Sequence, residues 1–291
     1  MNPLFASNEV CEAKDLIIFI LQQLHKELIK PININQNNNN NQNIEFNQYD
    51  QEKSFLFYKN EFQKNWSIIY DIFSGFKQIT NECQNCKANF SYHNLNNPIY
   101  YNHELFYYLI FPLEEIKNKK YNYSMNENFQ EEFIVNNIVT LNECFEYNNK
   151  TEKLSGYCPQ CKVFFDSIYS TKIYYGPNVL ILILKRGKNN IIDVKLDYQE
   201  SIDISDYILD KDMNNMIYDL YGVISKIGQN GPMGHFIASC KSSIDNNWYR
   251  FNDDVISQVF DIKKDVIDYG IPYILFYKKK NYNKNFLENI I

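Results

Sequence analysis

Two Cys-x-x-Cys pairs, Cys83 with Cys86 and Cys158 with Cys161, restrict most strongly what this chain can fold into. This is the spacing with which protein thiolates bind tetrahedral zinc. The pairs are far apart in sequence, so one ion can bind all four sulfurs only where two distant hairpins meet. The alternative is two incidental cysteine pairs. We expect structural zinc, because four thiolates leave no coordination position open for catalysis.

The cysteine count and the charge balance narrow the class of protein. Seven cysteines are an odd number, and the residues from Met1 to Ser7 do not read as a secretory leader, so we expect a cytosolic or nuclear protein. The net charge of -6 and the lack of a basic stripe argue against nucleic-acid binding. The longest apolar runs, Leu16–Leu21 and Val179–Leu184, are too short to cross a bilayer, so we expect no membrane span.

The sequence changes from a helical to a strand-like pattern near Gly75. Apolar residues at three- and four-residue spacings predict a helix from Glu9 to Ile29, which Pro31 ends. The polar Asn-rich run that follows predicts a disordered insertion over 32–51. A second helical pattern extends from Phe55 to Tyr70.

Short aromatic or β-branched segments bounded by turn residues predict the strands. The sequence therefore predicts an α+β fold, with helices first and a mostly antiparallel β region after them. Val179–Leu184 is apolar on both faces, so we place it at the centre of a sheet. The predicted strands are Phe76–Thr80, Leu105–Leu113, Ser167–Tyr175, Val179–Lys185, Met216–Ser225, His235–Lys241, Asn247–Phe251 and Tyr273–Lys278.

A second group of polar residues lies on two of these strands. His235 begins one strand, and Asn252 ends the next one after a turn at Ser243–Asn247. An antiparallel pairing would bring Asn252 beside the imidazole, where an Asn or Asp can fix the tautomer of a catalytic His that activates a thiol. A hairpin with an ordinary buried His is the alternative interpretation.

The stretch Gly234–Cys240 followed by Asn247–Asp253 resembles the His box of the ubiquitin-specific protease family. Other matches follow in the family's order over nearly the whole chain, except the Asn-rich segment. They are the helix from Glu12 to Leu28, the two cysteine pairs with Leu141–Cys144 and Glu152–Tyr157, Pro177–Arg186, Tyr218–Val223 and Tyr273–Tyr277.

The resemblance implies a papain-like hand with a palm, zinc-ribbon fingers and an incomplete thumb. It implies thiol-dependent hydrolysis of the bond after the ubiquitin C-terminus, with ubiquitin or ubiquitinated proteins as partners. His235 would then be the general base, Asn252 its orienting group and Asp253 a supporting polar residue. Glu12 and Asp15 would bind the Arg-bearing ubiquitin tail. The implied segments are 1–31 (thumb helix), 32–51 (insertion), 52–75 (helical), 76–175 (fingers with the zinc site), 176–280 (palm with the His box) and 281–291 (tail).

The sequence also departs from the family. No segment resembles the family's Cys box, and Cys11 and Gly187 replace a family Gln and Phe. Cys11 lies near a helix start, which favours a thiolate, but Glu9, Glu12 and Asp15 around it oppose one. We therefore expect Cys11 to be a bystander, and the chain alone to be inactive. A ubiquitin-binding protein without hydrolytic activity is the alternative to a protease, and an ordinary zinc-stabilised β protein is a further one.

Overall fold

The computed structural model describes residues 13–30, 50–93, 99–126, 137–158, 160–186, 194–210, 216–228 and 234–281. The predicted insertion over 32–51 and the tail over 281–291 therefore lie almost wholly outside the described residues. The described chain forms one four-stranded sheet, one eight-stranded sheet and a two-stranded parallel pair, with helices concentrated in its first half. This agrees with the predicted α+β class.

Three helices precede the first strand: α1 (Ala13–Leu28), α2 (Gln51–Lys64) and α3 (Ile68–Phe73). The helix predicted from Phe55 to Tyr70 is thus two helices. Asn65 ends α2 by donating its backbone N–H to the carbonyls of Glu61 and Phe62, and the Ser67 hydroxyl caps α3 by accepting from the backbone N–H of Tyr70. A Ser at this position competes for the helix backbone and starts a new helix.

The four-stranded sheet has the order β2-β1-β6-β5, all antiparallel. Its strands are β1 (Gly75–Cys83), β2 (Ile99–Phe106), β5 (Thr151–Cys158) and β6 (Val163–Tyr175), and α4 (Gln84–His93) follows β1. A Cβ atom at Gly75 would lie 2.4 Å from the Phe106 ring and 2.7 Å from the Tyr175 carbonyl. The root of this sheet therefore requires glycine.

The strand predicted over Leu105–Leu113 divides between the two sheets. Its first part belongs to β2, whereas β3 (Leu109–Pro112) pairs parallel with β7 of the large sheet. Two helices that the sequence did not predict, α5 (Leu113–Asn126) and α6 (Leu141–Asn148), follow, with β4 (Ile138–Thr140) between them. Thr140 and Glu143 form a reciprocal capping box at the start of α6.

The eight-stranded sheet has the order β13-β12-β11-β10-β14-β7-β3, with β9 also paired to β10. Two short helical turns also occur in this half of the chain: a 3₁₀ turn at Ser205–Tyr207 and a π-helical turn at Lys263–Ile267. The remaining strands are β7 (Val179–Lys185), β8 (Lys195–Asp197), β9 (Ser201–Asp203), β10 (Ile217–Gly228), β11 (Gly234–Lys241), β12 (Trp248–Asn252), β13 (Val255–Val259) and β14 (Ile271–Lys279).

Strand β7 is buried on both faces, as predicted, but it lies next to the edge strand β3 and not at the centre of the sheet. Its two faces belong to different cores. Leu180, Leu182 and Leu184 pack in the larger core with residues of α5 and α6, while Ile181 and Ile183 pack in a smaller one with α1 and α3. Helical cover on both faces, and not a central position, therefore explains the continuous apolar run.

Candidate active site and metal site

The hairpin β11–β12 brings His235 and Asn252 to one face of the large sheet. The two strands are antiparallel, with Ala238 opposite Phe251 and Lys241 opposite Trp248. In that register His235 and Asn252 lie on the same face as the buried Trp248, because side chains alternate along each strand. The predicted arrangement of two adjacent strands is therefore correct.

The imidazole of His235 lies within hydrogen-bond distance of the Asn252 side chain, as predicted. His235 Nε2 is 2.6 Å from Asn252 Oδ1. Because an amide oxygen only accepts hydrogen bonds, Nε2 carries the proton and Nδ1 keeps its lone pair. His235 remains partly exposed, so Nδ1 can serve as a base toward a group that approaches from outside.

Asp253 follows Asn252 in a two-residue turn and adds negative charge beside the ring. Its Oδ2 atom lies 3.6 Å from His235 Nε2, which is too long for a good hydrogen bond. The backbone of Asp253 has φ of 51°, a left-handed conformation that Asp tolerates better than most residues. The turn thus fixes both Asn252 and Asp253.

Arg250, for which the sequence suggested no role, anchors the strand that carries Asn252. Its guanidinium lies 3.7 Å from the centroid of the Tyr269 ring, and Nη2 donates to the Asp265 carbonyl. Arg250 is on the same face as Asn252, two residues earlier. These contacts bind the end of β12 to the segment that leads into β14. The sequence signal that could have indicated these contacts is an Arg two residues before the orienting Asn, with an aromatic residue downstream.

The four paired cysteines come together at the far end of the four-stranded sheet. Their sulfur atoms all lie within 4.8 Å of one another, with Cys83 Sγ 3.8 Å from Cys161 Sγ and Cys86 Sγ 3.6 Å from Cys158 Sγ. A tetrahedral Zn–S₄ site with bonds of about 2.3 Å has sulfur–sulfur distances of about 3.8 Å. No sulfur–sulfur distance in the cluster exceeds this value by more than about 1 Å. The cluster can hold a metal ion.

The chemistry of the cluster also fits a cation. Burial raises the pKa of the Cys83 and Cys86 thiols, so without a metal these two stay neutral. A divalent ion reverses this preference because it binds thiolate. The described strand β5 and the start of α4 supply no fifth ligand of the His, Asp or Glu type to this group.

The other candidate residues are placed as follows. Cys11 and Glu12 lie outside the described residues, so their predicted roles stay predictions. Asp15 is exposed in the first turn of α1. His25 of α1 packs against α3, with its ring stacked on Tyr70 and Nδ1 2.8 Å from Ser67 Oγ. His103, for which the sequence suggested no role, is fully buried in β2.

A sequence model of the family described as "Ubiquitin carboxyl-terminal hydrolase" matches residues 1–277. The chain belongs to this family. The matched ubiquitin carboxyl-terminal hydrolase region includes both cysteine pairs, His235 and Asn252, as the resemblance of the motifs implied.

Curated members of the ubiquitin carboxyl-terminal hydrolase family match about half of the chain. Ubiquitin carboxyl-terminal hydrolase 12 of Saccharomyces cerevisiae is 32% identical over 158 residues, which are 50% of this chain and 12% of that protein. Ubiquitin carboxyl-terminal hydrolase 43 of Homo sapiens is 26% identical over 175 residues, 49% of this chain and 15% of that protein. The matched region is a small part of each relative.

Solved structures of the same family share the fold. A SAGA DUB module that contains a variant of Ubp8 matches 95% of this chain and 52% of that chain, with a TM-score of 0.60 and 21% identity. The Ubp8 module bound to ubiquitin aldehyde matches 94% of this chain and 50% of that one, with a TM-score of 0.58 and 21% identity. The chain thus spans about half the length of these Ubp8 chains.

No helix among the described residues is long and apolar enough to cross a membrane.

Proposed function

We propose that this chain provides the His/Asn half of the active site of a cysteine-type deubiquitinase, which hydrolyses the bond after the ubiquitin C-terminus. The observation that carries the proposal is the 2.6 Å contact between His235 Nε2 and Asn252 Oδ1. It leaves Nδ1 as the nitrogen that takes a proton from a thiol and returns it to the leaving amine. Asn252 holds the ring, and Asp253 stabilises the imidazolium that forms.

Ubiquitin is the proposed partner. The Ubp8 module of the same fold has been solved with ubiquitin aldehyde. Asp15, on the exposed side of the first turn of α1, and Glu12 are proposed to bind the arginines of the ubiquitin tail through charge-assisted hydrogen bonds. Both residues are acidic, and a carboxylate is the group that a guanidinium pairs with most strongly.

The described residues place no thiol beside His235. Cys240 is on the same strand, but at an odd spacing from His235, so its side chain is on the opposite face of β11. Cys144 is buried in the larger core, and the other four described cysteines form the metal cluster. This favours a second candidate for the isolated chain: a ubiquitin-binding protein without hydrolytic activity.

A ubiquitin probe with a thiol-reactive group at its C-terminus tests the proposal. We expect the isolated chain to bind the probe without a covalent adduct, and Asp15→Lys to weaken that binding. Stoichiometric labelling that is lost in Cys11→Ala would make Cys11 the nucleophile and contradict the expectation. In any form of the chain that hydrolyses ubiquitin conjugates, His235→Ala should abolish hydrolysis and leave probe binding intact. Full hydrolysis by His235→Ala would refute the catalytic role.

The ion that we propose for the cysteine cluster is zinc, in a structural role. Purified protein should contain about one zinc per chain, measured by elemental analysis. Cys86→Ser should lose the metal and lower the thermal unfolding midpoint, because Cys86 is a buried member of the cluster. Cys240→Ser, a change outside the cluster, is the control and should keep the zinc. Zinc retained at full stoichiometry in Cys86→Ser would rule out this site.

A further inference from the structure

The backbone pairing of the β11–β12 hairpin stops short of the contact between His235 and Asn252. The last paired residues are Ala238 and Phe251, so His235 lies three residues before the end of the ladder and Asn252 one residue beyond it. Among the described residues, His235 is paired only with Ile227 of β10, and Asn252 is paired only with β13. Backbone pairing between β11 and β12 therefore does not by itself fix the distance between the imidazole and the amide.

The segment between β13 and β14, residues 260–270, makes contact with the Asn252 side of this gap. We call it the bridging segment. Arg250 Nη2 donates to the carbonyl of Asp265, and the guanidinium lies 3.7 Å from the centroid of the Tyr269 ring. Arg250 precedes Asn252 by two residues on the same strand, so the two side chains share one face. The guanidinium thus joins the strand that carries Asn252 to the bridging segment.

The end of the bridging segment packs against the His235 side of the gap. Gly270 has φ of 74°, a left-handed conformation that favours glycine. A Cβ atom at Gly270 would lie 3.0 Å from Ile227 Cγ2 and 3.0 Å from the Lys226 carbonyl. Ile227 is the residue that pairs with His235, and Lys226 pairs with Ile271, the first residue of β14. Close backbone packing therefore fixes this end of the bridging segment relative to His235.

Between its two ends the bridging segment is anchored in the larger core. Its π-helical turn contains Val266, which is only 2% exposed. Ile262 and Ile267 pack against the same core. Because close-packed interiors deform little, a segment anchored in this way can hold two neighbouring strands at a fixed separation.

We propose that Arg250 is a positioning residue for the His235–Asn252 pair, and that it holds Asn252 at hydrogen-bond distance from the imidazole through the bridging segment. The catalytic meaning of this role rests on the proposed function, but the contact itself belongs to the isolated chain. The guanidinium contacts Asp265 and Tyr269, so Arg250 acts through Asn252 and takes no part in the proton transfer. Without it, the end of β12 beyond the ladder would be held by β13 alone.

The tautomer ratio of His235, measured in the whole chain from nitrogen chemical shifts of the labelled ring, tests this role. Arg250→Met keeps an apolar stem and removes the guanidinium. It should lower the ratio of Nε2–H to Nδ1–H at least about twofold, the lower end of what one hydrogen bond contributes, toward the ratio in Asn252→Ala. Tyr269→Leu should change the ratio in the same direction, although it changes no charge.

Two further variants separate positioning from a general loss of stability. Tyr249→Phe is the matched control, because it removes a hydrogen bond from the same strand, between the Tyr249 hydroxyl and Asp245 Oδ2 at 2.6 Å, at the end where the ladder is intact. It should leave the ratio unchanged. Arg250→Lys restores a cation and a donor, so it should recover part of the ratio that Arg250→Met loses.

The proposal is overturned if Arg250→Met and Tyr269→Leu both fold and keep the ratio of the parent chain. It is also overturned if Tyr249→Phe lowers the ratio as much as they do, or if only Arg250→Met lowers it, since the charge and not the bridging segment would then be the cause. Tyr269 is 37% exposed, so Tyr269→Leu should fold and decides the matter if Arg250→Met does not.

Kinetics distinguish this inference from the proposed function. In any form of the chain that hydrolyses ubiquitin conjugates, Arg250→Met should lower kcat at least about twofold and leave KM unchanged, because the loss concerns the orientation of the base and not the binding of substrate. An unchanged kcat would contradict the positioning role. If the tautomer ratios change as stated and no form of the chain hydrolyses conjugates, the proposed function fails while the role of Arg250 stands.

Discussion

At the scale of single residues, the proposed chemistry depends on which nitrogen of His235 carries the proton. The amide oxygen of Asn252 decides this, since it can only accept. Asn252 is itself held by the turn at Asp253 and, through β12, by the stacking of Arg250 on Tyr269. The β11–β12 hairpin, which positions Asn252, therefore determines which tautomer of His235 is favoured.

We predict that neutral His235 is predominantly the Nε2–H tautomer in the isolated chain. Asn252→Ala removes the acceptor, so the two tautomers should then approach the mixture seen in free imidazoles. Nitrogen chemical shifts of the labelled ring, measured by NMR above neutral pH, report the ratio. Asp253→Asn keeps the Asn252 acceptor and should leave the tautomer unchanged. An Nδ1–H tautomer in the parent chain would contradict the geometry described above.

At the scale of secondary-structure elements, a buried polar network joins α2 to the four-stranded sheet. Gln78 Nε2 lies 3.2 Å from His103 Nε2 and donates to it, and His103 Nδ1 lies 3.1 Å from Ser54 Oγ. The Ser54 hydroxyl donates onward to the Tyr101 carbonyl. Each member has a partner only while His103 is neutral, with its proton on Nδ1.

We predict that His103 makes the fold sensitive to acid. Burial lowers the pKa of His103 to about 4, below the value near 6.5 in the unfolded chain. Because the unfolded state takes up the proton first, the stabilisation is complete above pH 6.5 and is lost as the pH falls toward 4. The loss is about 3 kcal/mol in the free energy of unfolding.

Urea denaturation at several pH values tests this, with His103→Gln as the control because it cannot titrate. Whatever the stability of the variant at pH 7, its free energy of unfolding should fall less steeply between pH 6.5 and 4 than that of the parent. Other acidic groups contribute equally to both chains. Parallel pH profiles for the two proteins would show that His103 is not the titrating group.

The elements also show what a sequence pattern can and cannot predict. The His235–Asn252 pair and the cysteine cluster were predictable, because strand alternation and Cys-x-x-Cys spacing are local signals. The division of Leu105–Leu113 between two sheets was not, since a continuous apolar run does not reveal where the chain changes partners. α5 was missed because its segment is only weakly amphipathic and depends on tertiary packing to form a helix. For α6 the capping-box pair Thr140 and Glu143 is a local sequence signal that could have indicated the helix.

At the scale of the whole molecule, the two faces of the large sheet are covered unequally. The larger core lies against one face, whereas on the other α1 and α3 cover only the part near β7. Along one row across that second face, burial decreases toward β13: Phe251 is 36% exposed and Ile256 is 62% exposed. The row consists of Ile183, Ile274, Ile224, Ala238, Phe251 and Ile256.

Helix α1 shows the same imbalance. Leu21 faces the sheet and is only 8% exposed, but Ile20 and Leu24 are 44% and 39% exposed. The apolar arc of α1 is thus wider than the contact that it makes with the sheet. A helix that packs on a sheet with one side usually carries polar residues on its solvent-exposed side. The exposed side of α1 instead presents an apolar surface, which no other described residue covers.

We predict that Ile20→Lys with Leu24→Lys changes the free energy of unfolding by less than about 1 kcal/mol, because both side chains already contact water. The same double variant should reduce the binding of a fluorescent apolar dye to the native chain. Leu21→Lys is the matched control, one residue away on the same helix. It should destabilise the fold by roughly 3 kcal/mol or more, since it places an unpaired charge among buried apolar side chains. If the double variant unfolded as readily as Leu21→Lys, the outer face of α1 would have to be covered within this chain, and the unequal cover of the sheet would be refuted.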